Sequence, residues 1–131
     1  MAESRRDQTG DRRQLTSEIN ALLVPLPWID FELEELLGYR LVVMGGIDTS
    51  APPDIEIWFE GVAMISMPAE WRTDTSAPPL LLLDGEEARR LNALFGVERG
   101  HHLFAFRPED KPSSLRCVVA ARSLGFVRPP K

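Results

Sequence analysis

Between Ile55 and Met67 the chain carries its clearest extended pattern. Ile55, Ile57, Phe59, Ala63, Ile65 and Met67 share one parity; Glu56, Trp58, Glu60, Val62, Met64 and Ser66 share the other. Successive side chains of an extended segment point to opposite faces, so the run reads as a strand with one apolar face and one that begins acidic. Gly61 marks a bulge, bend or tight turn within it, and Pro68 ends it. Such a strand needs partner strands and a covering layer, and the rest of the chain supplies candidates for both.

The first ten residues or so are polar and read as a disordered tail, with a single domain over 11–131. Leu15, Ile19, Leu22 and Leu23 recur at helical spacing and predict a helix over about 11–24, stopped by Pro25 and Pro27. From Trp28, Ile29, Phe31 and Leu33 alternate with Asp30, Glu32 and Glu34, which favours a strand over a helix. It turns at Glu35–Gly38 into a second strand at Arg40–Met44. The hexapeptide DTSAPP occurs at 48–53 and again at 74–79, each time before an apolar run. It reads as reused turn chemistry, since paired prolines hold the chain extended.

Leu80–Leu83 reads as a short buried strand or an entry to the next element. Asp84 with Glu87 three residues on suggests a capping box for a helix over about 84–95, which Gly96 ends. Two further strands, His102–Arg107 and Leu115–Val127, are apolar on both faces over part of their length and should be central and covered. The expected architecture is α+β: a largely antiparallel sheet of about five or six strands with the N-terminal helix and the 84–95 helix packed on it.

Charge is unevenly spread. Residues 25–79 carry ten acids and two bases, Arg40 and Arg72, whereas residues 80–131 carry nine bases and six acids. The net charge of −5 argues against nonspecific nucleic-acid binding, which needs a basic surface to neutralise phosphates. No run approaches the roughly 18 apolar residues of a membrane span, and the N-terminus lacks the apolar core of a secretory signal. The single Cys117 excludes an intrachain disulfide and, set in an apolar run, reads as a buried thiol in a reducing, cytoplasmic setting.

Little in the chain points to catalysis. His101 and His102 are adjacent, so on a strand they point apart and cannot easily hold one ion; no Cys or third His stands at ligand spacing. Cys117 shares parity with Leu115, Val119 and Ala121, which argues for burial and against a nucleophile. Phosphate-cradling, dinucleotide and nucleophile-elbow motifs are absent. No catalytic residue, metal ligand or cofactor is therefore assigned.

The acids are the remaining signal. If the strand at 28–34 lies near the one at 55–60, Asp30, Glu32 and Glu34 approach Glu56 and Glu60, and like charges across a sheet are destabilising. Either Arg107, Arg116 and Arg122 neutralise them in cis, or they face a basic partner. The second reading makes Asp30, Glu32, Glu34, Glu56, Trp58 and Glu60 the contact face of a non-catalytic interaction module of inhibitor or immunity type, with Trp58 as its aromatic anchor. Two alternatives stand beside it. One is a small-molecule binder or enzyme with a pocket between sheet and helix holding His101 or His102, Cys117 and a carboxylate. The other is a self-associating subunit that pairs the acidic middle of one copy with the basic C-terminal stretch of another.

Overall fold

A computed structural model describes residues 12–48, 51–97, 99–109 and 117–130. The expected disordered tail and Arg116 lie outside them. In chain order the described elements are α1 (Arg12–Leu23), β1 (Trp28–Leu37), β2 (Arg40–Gly46), β3 (Ile55–Glu60), β4 (Met64–Ser66), β5 (Glu70–Asp74), β6 (Leu80–Leu82), α2 (Gly85–Phe95), β7 (His102–Phe106), β8 (Cys117–Ala121) and β9 (Ser123–Val127). The class is α+β, as expected, but among the described residues nine strands form two antiparallel sheets.

The first sheet runs β5-β1-β2-β3-β9 and the second β4-β8-β7-β6. They are two halves of one bent surface. β3 continues past Gly61 into β4, and β8 continues past Arg122 into β9; β3 pairs with β9 and β4 with β8. Backbone bonds from Arg122 N to Glu60 O (2.9 Å) and from Ala63 N to Ala120 O (2.8 Å) carry the pairing across the corner. Strands that switch sheets at such bends let two sheets enclose one core. The interruption expected at Gly61 is this corner.

The core lies between the sheets. Ile29 and Phe31 of β1, Ile57 and Phe59 of β3, and Phe104 and Phe106 of β7 are fully buried, and Trp71 of β5 joins them. The Phe31 and Phe106 rings lie 4.8 Å apart and those of Phe59 and Phe104 5.3 Å, tilted contacts that suit aromatic quadrupoles. Helix α1 adds Leu15, Ile19 and Leu23 to the same core. Its Asn20 side chain donates to Leu80 O (2.8 Å) and accepts from Leu80 N (2.9 Å). That amide thus pairs with β6 as a neighbouring strand would, and blunts an otherwise open edge.

Helix α2 lies on the outer side of the second sheet. Leu103, Ala105, Val118 and Ala120 form a second apolar cluster, against which Ala88 and Leu91 of α2 pack. This is why β7 and β8 are apolar on both faces. Asp84 sits at the N-cap as expected, but its side chain makes no capping bond, so its half of the expected capping box is missing. Gly96 closes the helix in the left-handed conformation, as expected. Glu86 pairs with Arg89 one turn along the helix (2.7 Å). No described helix is long and apolar enough to cross a membrane.

Candidate functional site

The outer face of the first sheet has no helix upon it among the described residues. Strand parity turns the acids outward there, and the ladder sets them in rows. Arg72, Asp30 and Gly46 stand across β5, β1 and β2 in one row; Glu70, Glu32, Met44 and Glu56 stand across β5, β1, β2 and β3 in the next. Below these lie Glu35, Val42, Trp58 and Gly125, and then Leu37, Arg40, Glu60 and Ser123. Asp30, Glu32, Glu56, Trp58 and Glu60 therefore share a face, as their parity predicts. Glu34 does not join a row: the β1–β2 register slips between Leu33 and Glu35, and Glu34 is the extra residue of that bulge.

The expected clash between β1 and β3 does not arise, because β2 runs between them and Met44 separates Glu32 from Glu56. The direct like-charge neighbours are Glu32 and Glu70, paired across β1 and β5. Strand β5 has its own alternation, with Glu70, Arg72 and Asp74 outward and Trp71 and Thr73 buried. That signal is present in the sequence but short, and it is masked by Pro68 before it and the DTSAPP turn after it.

The neutralising arginines also differ from those expected. Arg72 forms a bidentate pair with Asp30, at 2.7 Å from Nε to Oδ1 and 3.1 Å from Nη2 to Oδ2, and lies over the Trp28 ring at 4.9 Å. Arg40 meets Glu60 at 3.3 Å and lies over the Trp58 ring at 5.4 Å. The two bases inside the acidic segment thus neutralise Asp30 and Glu60. Arg107 instead donates to Pro78 O (2.7 Å), and the Arg122 side chain lies beside Gly61 and Gly100. The carboxylates of Glu32, Glu34, Glu35, Glu56 and Glu70 have no ion-pair or hydrogen-bond partner among the described residues.

Trp58 stands among the acids as expected, yet only 6% of it is exposed. Its indole lies flat against the backbone of Gly125, where an added Cβ would come within 2.6 Å of the ring. Arg40 covers it further. The tryptophan is therefore packed into the sheet surface and offers a partner little area.

A concavity of about 430 Å³ opens at the β5-β1-β2 end of this face. Asp30, Glu32, Glu70 and Arg72 line its sheet side, and Asp48, Ala51 and Pro53 from the first DTSAPP copy line its loop side. The loop is tied down by Asp54, whose backbone N donates to Gly45 O (2.8 Å) and whose Oδ2 accepts from Ile47 N (3.1 Å). Four carboxylates and one guanidinium give the recess an acidic lining suited to a cationic group.

The groups considered for catalysis are not brought together. His102 pairs with Ala121, whereas Cys117 pairs with Phe106 at the other end of the same two strands, four ladder steps or about 13 Å away. Cys117 is buried, and the loss of solvent pushes its thiol up to about 11, which keeps it protonated and unreactive near neutrality. Burial holds His102 below the usual imidazole value, with Arg12 and His101 lowering it further. Among the described residues no group of three or more His, Cys, Asp or Glu is placed to hold a metal ion.

Comparison with known proteins found no matching family model, no matching curated protein and no matching solved structure.

Proposed function

We propose that the protein is a non-catalytic binding module of inhibitor or immunity type, and that the outer face of its first sheet captures a basic protein partner. The observation that carries this reading is the row Glu70, Glu32, Met44 and Glu56: three carboxylates on an uncovered face, none of them in an ion pair among the described residues, with the neighbouring Arg72 bound to Asp30. Holding Glu32 and Glu70 opposite one another costs stability in the isolated chain, and a partner's Lys or Arg side chains relieve that cost. The acidic recess beside the row accommodates such a side chain, and the surrounding negative field accelerates encounter with a cationic surface.

The test is affinity capture from the native lysate at low and high salt, with identification of what is retained. A strongly basic protein should be held at low salt and released as salt rises. The triple variant Glu32→Gln, Glu56→Gln, Glu70→Gln should lose it while melting at or above the wild-type temperature, since it also removes the repulsion between Glu32 and Glu70. Equal capture by the triple variant, or a partner without basic character, overturns the reading.

A further inference from the structure

With Trp58 packed into the sheet surface, the acidic face lacks the aromatic anchor expected there. Large hydrophobics that are exposed singly are ordinary on a protein surface. Three of them fall within four residues at the tip of the β1–β2 hairpin: Leu36 is 52% exposed, Leu37 71% and Tyr39 78%, with Leu37 on the outer face and Leu36 on the opposite one. Such a grouping marks a contact surface more often than chance exposure does.

The tip is built to hold its shape. Leu37 and Arg40 close the ladder, leaving a two-residue turn of Gly38 and Tyr39. Gly38 has φ 64° and Tyr39 a negative φ, the sign pattern of a type II′ turn, which matches the twist of the flanking strands. Val62 N donates to Tyr39 O at 2.9 Å and ties the turn to the β3–β4 corner. A preformed turn fixes the backbone that carries these side chains, so less conformational entropy is lost when a partner covers them.

The charges around the tip select the occupant. Glu34 and Glu35 are exposed, the bulge carries them to the start of the tip, and neither has a cationic partner among the described residues. The nearby Arg40 is paired with Glu60. The fringe is therefore acidic. An anionic lipid surface would repel it, and two copies meeting tip to tip would bring their own glutamates together. Leu37 lies on the same outward face as the carboxylate row, at its far end.

We infer that the Leu36–Tyr39 tip is the hydrophobic anchor of the partner interface, inserting Leu37 and Tyr39 into an apolar recess of a basic protein whose Lys or Arg side chains receive Glu34 and Glu35. This rests on the proposed function and names where its binding energy is concentrated.

A photo-crosslinking p-benzoylphenylalanine in place of Tyr39, introduced in the native cell, tests it. The expected product joins the chain to one basic protein, which is then purified and titrated. Leu37→Ser and Tyr39→Ser should each weaken that binding about 30-fold, the scale of a hot-spot truncation, without lowering the melting temperature. Flotation with vesicles of phosphatidylcholine, alone or with phosphatidylglycerol, should leave the protein unbound. Crosslinks only to lipid, only to a second copy, or to nothing overturn the inference, as does vesicle binding. If both serine variants bind the basic partner normally while the triple glutamine variant does not, the anchor is refuted and the proposed function stands. If the wild type captures no basic protein, both fall.

Discussion

The two sheets share one core, yet their outer faces have opposite fates. On the second sheet Leu103, Ala105, Val118 and Ala120 point outward and helix α2 covers them. On the first, Asp30, Glu32, Met44 and Glu56 occupy the equivalent outward positions, with no helix over them among the described residues. The difference lies in the second parity of each strand. Small apolar residues there leave a surface that water disfavours and a helix can cover, whereas carboxylates there would be costly to desolvate without partners.

The largest test of this contrast exchanges the chemistry of the two faces. Val118→Asp places a carboxylate beneath α2, where no base stands in the apolar cluster, and should cost about 3–5 kcal/mol or prevent folding; denaturant unfolding reads the loss. A loss near zero would mean that α2 lifts away easily and that the two faces are less different than they look.

The next test concerns the one large side chain that blurs the contrast. Trp58 lies on the acidic face but is packed against Gly125, so Trp58→Ala should cost about 3 kcal/mol in thermal or denaturant unfolding. Its sequence position suggests instead a surface anchor whose removal leaves the melting temperature nearly unchanged, and that outcome would restore the earlier expectation.

The smallest effect expected is at the acid face itself. Arg72→Ala removes the bidentate pair with Asp30 and the contact with Trp28. Both partners are partly exposed, so the cost should be about 0.5–1 kcal/mol and should shrink as salt is raised. A salt-independent loss would place the contribution of Arg72 in its packing on Trp28 rather than in its charge.

Much of the fold is legible locally. Ile29, Phe31, Ile57 and Phe59 are buried where alternation places them, and β7 and β8 are central because both of their parities are apolar. What stayed hidden follows from length and contact distance. Strand β5 spans only Glu70–Asp74 between two turns, too short for its alternation to stand out. The division into two sheets depends on bends at Gly61 and Arg122, which no periodicity encodes. The neutralising roles of Arg40 and Arg72 come from register: each stands beside its acid only once β2 meets β3 and β5 meets β1. Leu36 and Leu37, placed in a turn by the sequence, instead end β1, and only the hairpin pairing shows them exposed at its tip.

The sequence by itself determined which way each strand residue points, because parity is a property of the extended backbone. It thereby set Asp30, Glu32, Glu56, Trp58 and Glu60 on one side of the sheet. Only the tertiary structure decided which carboxylates meet a base, that Trp58 is packed and Tyr39 exposed, and that a recess forms beside Glu32 and Glu70. Those outcomes depend on strand order, register and the corner between the sheets, which join residues far apart in the chain through contacts that local pattern does not specify.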